Sequence, residues 1–368
     1  MGIKICHITT VHPRFDTRIF HKELYSLSKF FNDICLLVAD GKGNEIKDNI
    51  AIFDIGKPSD RKKRMFKSLF KVYKQAIAIN ADLYHFHDPE LIPVGLRLKK
   101  TGKVVIYDIH EDVPRQILSK DYIKPFFRAI ISKSFEIFEN WAVKKFDAII
   151  TATPHIRNRF KKLNPNTVDI NNFPKLDELY EPVDWVNRKN EICYIGGISR
   201  IRGIVELVKA LEYVNTTLHL AGNFESEKLK KEVMSLKGWK KVRYYGFVDR
   251  SKVKEILKNV KIGIVTLHPS QNYIYSLPVK MFEYMSAGIP VIASNFLLWR
   301  EIIEKNGIGL CVNPLNPKEI AKAINTLLNN DSLTREMGLK ARKLVEEKYN
   351  WENEEKKLIT LYSTILKG

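Results

Sequence analysis

Residues 276–294 read SLPVKMFEYMSAGIPVIAS, and the punctuation of this stretch decides the fold. Pro278 suits the first turn of a helix, Gly288 suits its C-terminal cap, and Pro290 prevents continuation. The apolar run after Gly288 reads as a strand, and so does 261–267 (KIGIVTL) just upstream. A helix that leaves the carboxyl end of one strand and feeds the next belongs to a parallel α/β sheet. In such sheets ligands bind outside the carboxyl ends of the strands, where a helix N-terminus offers free N–H groups to an anion. The unit suits a phosphate-bearing small molecule.

The same alternation extends in both directions. Strands are expected at 4–9, 34–39, 83–87, 104–109 and 148–153, with helices at 18–30 and 61–79 among the segments between them. Residues 171–188 (NNFPKLDELYEPVDWVNR) lack periodicity, carry two prolines and read as a linker. The alternation then restarts, with strands at 192–195, 217–221, 242–245, 262–267 and 290–293. Helices at 317–328, 332–349 and 351–366 close the chain, with no strand expected beyond them. The expected architecture is α/β: two doubly wound, parallel-sheet Rossmann-like domains, 1–175 and 186–348, facing a central cleft. The segment 349–368 is long enough to cross back to the first domain.

Composition narrows the function classes. A chain of 368 residues exceeds one hydrophobic core, and 45% hydrophobic content excludes global disorder. No apolar run reaches the roughly 18 residues that a membrane-spanning helix needs. Cys6, Cys35, Cys193 and Cys311 are scattered and read as core thiols in a reducing compartment, so a cytoplasmic protein is expected. Lys plus Arg number 61 against 42 acids, a net charge of +19. That points to polyanionic partners, although codon bias toward lysine gives the same excess without any.

The second half carries three ligand-facing segments. Residues 194–203 (YIGGISRIRG) read as a strand, a turn in which Gly196 and Gly197 admit close backbone approach, and Arg202, whose planar fork suits a diphosphate. Residues 243–248 (RYYGFV) form a second strand-to-loop turn, where Tyr245, Gly246, Phe247 and Val248 offer backbone bonds to a flat base; the alternative is an ordinary turn with Phe247 in the core. Third, Ser276, Leu277 and Pro278 open the helix that carries Lys280 and Glu283. Glu283 is a candidate acceptor for ribose hydroxyls, the alternative being an i,i+3 bridge to Lys280.

These segments resemble the retaining glycosyltransferases of family 4, which have the GT-B fold of two Rossmann domains. The resemblance covers nearly the whole chain and is most specific at 278–292 and 194–203. Residues 12–18 (HPRFDTR), 85–90 (HFHDPE) and 107–112 (YDIHED) resemble one bacterial and archaeal branch. It implies metal-free transfer of a sugar from a nucleotide diphosphate donor, first of all a UDP-sugar, with anomeric configuration retained and no cofactor. By the same resemblance Arg202 grips the diphosphate, Glu283 meets the ribose and His110 faces the donor sugar, making these three the catalytic candidates. The chain departs from the family pattern twice: Tyr275 stands where the first glutamate of a Glu-x7-Glu pair is expected, and Gly197 where a partner arginine is expected. Lys280, Arg200 or the backbone of 275–277 are candidates to compensate.

On the acceptor side the candidates are Arg14, Asp16, Arg18, His87, Glu111 and Asp112, with Asp16 alternatively a helix cap. His85, His87 and Asp88 end one expected strand and His110, Glu111 and Asp112 follow another, so a metal-dependent hydrolase is a rival reading. A sugar-nucleotide epimerase or hydrolase of the same fold is another. The basic, aromatic-bearing stretch 61–79 (RKKRMFKSLFKVYKQAIAI) suits an anionic membrane surface, with 119–135 similar in character; the alternative is ordinary packing of the aromatics on a sheet. No nucleic-acid module is recognisable. The expected acceptor is a glycan or lipid-linked intermediate of cell-surface polysaccharide or glycolipid synthesis, met at the inner face of the membrane.

Overall fold

A computed structural model describes residues 2–59, 68–118 and 123–367. The chain divides into two compact units, one formed by Met1–Asn172 with Glu354–Gly368, the other by Phe173–Asn353.

Unit 1 contains β1 (Lys4–Ile8), β2 (Asp33–Val38), β3 (Glu45–Lys47), β4 (Ile50–Asp54), β5 (Leu83–Phe86), β6 (Val104–Ile109), β7 (Ala148–Thr151) and β8 (Thr167–Asp169). They form one sheet in the order β3-β4-β2-β1-β5-β6-β7-β8. Only the β3–β4 pair is antiparallel. The central strands are buried on both faces, which explains why they read as unbroken apolar runs. The chain leaves β1 toward one edge and returns to β5 on its other side, so the order switches between β1 and β5. The expected helix at 18–30 begins instead as a π-helical turn over Ile19–Leu24, then continues as Tyr25–Ser28. Asp16 anchors it: its carbonyl accepts from Phe20 and His21, and its carboxylate accepts from the Arg18 and Ile19 amides.

Unit 2 contains β9 (Ile192–Ile195), β10 (Leu218–Ala221), β11 (Val242–Gly246), β12 (Ile262–Val265), β13 (Val291–Ser294) and β14 (Gly309–Val312), in the order β11-β10-β9-β12-β13-β14, all parallel. Here the order switches between β9 and β12. The helix Val279–Ser286 packs on this sheet through Tyr284, whose hydroxyl accepts from the Ile195 amide at 2.8 Å. A Cβ on Gly263 would lie 2.1 Å from the Tyr284 ring, so glycine is required opposite that tyrosine. The helix is capped at Pro278, and Gly288 takes a left-handed φ of 72° before β13.

Residues 173–188 contribute to the core of unit 2 rather than running free. Phe173 and Leu179 are buried in it, and buried Arg188 donates to the carbonyls of Leu257, Val260 and Ala287. The closing helices run Pro317–Leu328, Asp331–Glu347 and Trp351–Ile365, and the last carries buried Tyr362 into unit 1. All four cysteines are free; Cys6, Cys35 and Cys193 are buried. No helix among the described residues is long and apolar enough to cross a membrane.

Candidate functional site

The crevice beside the β9/β12 switch is where an open α/β sheet takes a ligand, and its walls are the loops that follow those strands. The loop 196–203 follows β9. Gly203 sits at φ 78°, and a Cβ there would fall 1.9 Å from the Thr266 carbonyl, so this loop is pressed against the end of β12. A bond of 2.8 Å from the His268 amide to the Ile201 carbonyl ties the two loops together. The helix Val279–Ser286 then begins after the second loop, with backbone N–H groups at its start lacking intrahelical partners.

Into this corner come Arg202 and Lys280. The Arg202 guanidinium donates to the Gly197 carbonyl at 3.2 Å and hydrogen-bonds Tyr273. A Cβ on Gly197 would lie 2.3 Å from Arg202 Nη1, so the missing side chain at 197 is the space the guanidinium occupies. Lys280 Nζ is buried without a hydrogen-bond partner, although part of its stem is accessible. It lies 3.5 Å from the Tyr194 ring centroid and 3.6 Å from where a Gly196 Cβ would stand. Burial pushes the Lys280 amine down to about 7, and the Arg202 charge adds to this, against opposing pulls from Glu283 and Cys193. Thr266 Oγ1 and Ser270 Oγ are also buried and unpaired. Buried donors with no acceptor, Lys280 and Thr266, therefore lie after β9 and β12 beside Arg202, an arrangement chemically able to take an anion.

Glu283 does not bridge to Lys280. It accepts from Arg250 Nη1 at 2.7 Å, and Arg250 also donates to Glu178 at 2.7 Å. Of the expected compensators, Arg200 is turned away into an ion pair with Glu232, leaving Lys280 beside Arg202. Ser276 uses its carbonyl to hold the Trp299 indole at 2.8 Å and its hydroxyl to bond Tyr273, while Leu277 packs on the core. Tyr275 is half exposed. On the β11 turn, Tyr245 bonds His219, Val248 packs inward, and Phe247 is 79% exposed, contrary to the core placement considered for it. Gly246 closes β11 with φ 68°.

Unit 1 has its own cluster at the β1/β5 switch. His7 Nδ1 lies 3.0 Å from His87 Nε2, His7 Nε2 2.9 Å from the Tyr362 hydroxyl, and His85 Nδ1 2.8 Å from that same hydroxyl. His87 continues to His110 at 3.2 Å, and His110 Nε2 reaches Asp108 at 3.1 Å. Burial lowers the pKa of His7, His85 and His87, so these three rings are neutral. His110 is partly exposed, its Nε2 committed to Asp108. The signal for His7 and Asp108 was their place on β1 and β6; nothing local announced Glu23 or Tyr362.

Two acceptor-side candidates, Arg14 and Arg18, lie buried among carboxylates of unit 1. Arg14 is buried and binds Asp40 twice (2.8 and 2.6 Å), the Gly43 carbonyl and Glu45, pinning the loop before β3. Arg18 is buried between Asp108 and Glu23, 2.9 Å from each, and donates to the Ile170 carbonyl. Both arginines are engaged with internal carboxylates. Asp16 caps its helix and lies 3.5 Å from His12. His87 is buried inside the cluster. Asp88 binds Thr9, Thr10 and the Val11 amide and lies 3.7 Å from His12. Glu111 is exposed and bonds Gln116, while Asp112 pairs with Arg159 and Arg115.

Among the described residues, His7, Glu23, His85 and His87, or His87, Asp108 and His110, lie close enough to share a metal ion. Arg18 already compensates both carboxylates of these sets, and burial raises Glu23 well above its usual range toward the neutral acid. A divalent ion would have to stand beside that guanidinium, so the residues fit a buried hydrogen-bond network better than a metal centre.

Residues 177–344 match the model described as glycosyl transferases group 1, and residues 34–170 match glycosyltransferase family 4. The capsular polysaccharide biosynthesis glycosyltransferase CapM of Staphylococcus aureus is 22% identical over 99% of this chain and 98% of its own length. An uncharacterized glycosyltransferase of Methanocaldococcus jannaschii is 26% identical over 76% of this chain and 75% of its own. Among solved structures, the sucrose-phosphate synthase of Thermosynechococcus elongatus superposes with a TM-score of 0.78 at 16% identity, covering 99% of each chain. HepE of Anabaena, solved with UDP and glucose, gives 0.73 at 15% identity over 98% of this chain and 100% of its own. The glycosyltransferase matches thus cover both halves of the chain, and the superpositions show the GT-B fold.

Proposed function

We propose that unit 2 binds a nucleoside diphosphate sugar, first of all a UDP-sugar, and that the enzyme passes the sugar to a glycan or lipid-linked acceptor with retention of anomeric configuration. The observation that carries this reading is Lys280: a buried amine with no hydrogen-bond partner, beside Arg202, at the switch point of the sheet. A diphosphate there supplies the missing charge, and Arg202 offers it a bidentate fork. Glu283, steered by Arg250, receives the ribose hydroxyls, and the exposed Phe247 turn takes the base. The UDP and UDP-glucose complexes of HepE support a donor of this class.

In the reaction the bond from the anomeric carbon to the diphosphate oxygen breaks and one to the acceptor oxygen forms on the same face. The acceptor proton departs with the diphosphate, whose growing charge Lys280 and Arg202 stabilise. His110, oriented by Asp108, hydrogen-bonds the donor sugar, and Glu111 and Asp112 stand on the acceptor side. No step requires a metal. The name of CapM supports an acceptor in cell-surface polysaccharide synthesis, and the reading places the enzyme on the cytoplasmic face of the membrane.

The test is thermal stabilisation across a panel of nucleoside diphosphates and their sugars, with and without EDTA. Stabilisation by one nucleoside family, unchanged by EDTA, is expected. No response, or one that EDTA abolishes, overturns the reading and turns attention to the histidine cluster.

A further inference from the structure

Helix Pro125–Ala142 leaves most of its large apolar side chains exposed. Phe126 is 73% exposed and Ile137 61%, with Phe127, Ile130, Ile131 and Trp141 also exposed. Their spacing places them along one side of the helix. The inward side carries Phe135 and Ala142, which pack on the core, together with buried polar groups. Ser132 donates to the Pro114 carbonyl at 2.7 Å, Glu139 accepts from Arg159 at 2.8 Å, and Glu136 pairs with Arg115. Contiguous exposed apolar surface of this kind marks an interaction face.

The charges on that face identify the partner. Both acids of the helix are engaged in ion pairs with Arg115 and Arg159; Lys133, 72% exposed, also reaches Glu136 at 3.4 Å, and Lys124 stands exposed at the entry. The helix Leu69–Ile79 packs, like this one, against the helix Ile92–Lys100. It contains no acid, exposes Phe70 at 66% and carries exposed Lys71 and Lys74. The stretch 61–67, which adds further basic residues in sequence, lies outside the described residues, as does 119–122.

We infer that helix 125–142 lies in the plane of an anionic lipid surface, with its aromatic and isoleucine stripe among the upper acyl chains and its lysines at the headgroups. Apolar insertion and cationic attraction act together in such elements, and aromatic rings favour the interface. The inference deepens the membrane-face reading above but rests on the helix alone, so loss of the nucleotide site would leave it standing.

The full chain should co-sediment with phosphatidylcholine vesicles containing phosphatidylglycerol, and much less with phosphatidylcholine alone. Phe126→Ser with Ile130→Ser should weaken this binding by about tenfold or more while leaving the nucleotide thermal response intact. Independently, brominated lipid should quench wild-type tryptophan emission more than that of Trp141→Phe. The proposal fails if the wild type ignores anionic vesicles, or if the double variant binds them as well as the wild type. It also fails if the wild type is a dimer that the double variant splits into monomers, since a second copy would then be what covers the face.

Discussion

Lys280 Nζ rests 3.5 Å from the centre of the Tyr194 ring, and that ring is the best partner the folded chain gives it. A cation–π contact compensates desolvation only in part, and the shortfall has consequences at two levels, stability and binding.

For stability, the folded-state amine titrates near 7 and the unfolded one near 10.5. Between those values the unfolded chain holds a proton that the folded one lacks, so stability rises with pH across that window. Below about pH 7 the cost is fully present. Lys280→Met should therefore raise stability at pH 7 by an amount on the order of 3 kcal/mol and flatten the dependence from pH 7 to 10. Urea titrations of both proteins across that range check this, and equal slopes would refute it.

For binding, a diphosphate beside Lys280 should restore its proton. Above pH 7, donor binding is expected to take up protons from the buffer. Calorimetry at pH 8 in two buffers of different ionisation enthalpy should show different apparent heats, and Lys280→Met should remove the difference.

Gly197 and Arg202 make a second lever. The guanidinium fills the space a Cβ at 197 would need, and its flexible stem lets it move away at little cost to the fold. Gly197→Ala is expected to leave the melting temperature nearly unchanged and to weaken nucleoside diphosphate binding about tenfold. Unchanged affinity would show that Arg202 does not hold the ligand from its present position.

Glu283 can be removed without stranding Arg250, which keeps its 2.7 Å bond to Glu178. Glu283→Ala and Arg202→Ala should each lower transfer by roughly a hundredfold with the protein still folded. Steady-state kinetics beside a melting curve test both, and wild-type turnover in either variant would refute its assignment.

Arg18 carries the opposite expectation. It compensates Asp108, which it helps pull well below the usual carboxylate range despite burial, and it also lies against Glu23. Arg18→Met leaves a buried charge unpaired, a loss of about 3–5 kcal/mol. Chemical denaturation measures it; a loss below about 1 kcal/mol would show that the cluster reorganises.

The sequence disclosed the ladder of central strands because burial on both faces writes them as apolar runs bounded by turns. It concealed β3, all of whose residues are exposed, and β14, a four-residue strand between glycine and proline signals. Local pattern also marked Gly196, Gly197, Arg202 and Lys280, since they flank strand ends. It did not disclose the partners of Arg14 and Arg18, because an arginine's exposure depends on which carboxylates the fold delivers; Asp40 and Asp108 arrive 26 and 90 positions away. Arg250, the partner of Glu283, was missed for the same reason at 33 positions.

Tyr362 hydrogen-bonds His7 from 355 positions downstream, while Phe173–Asn353 makes a compact unit of its own. During synthesis, therefore, the half that begins first is the half that finishes last. The ribosome releases every residue of the second unit before the first can seat the tyrosine on its histidines. Until then water stands in for the tyrosine hydroxyl on His7 and His85, and the first unit lacks one of its fully buried side chains.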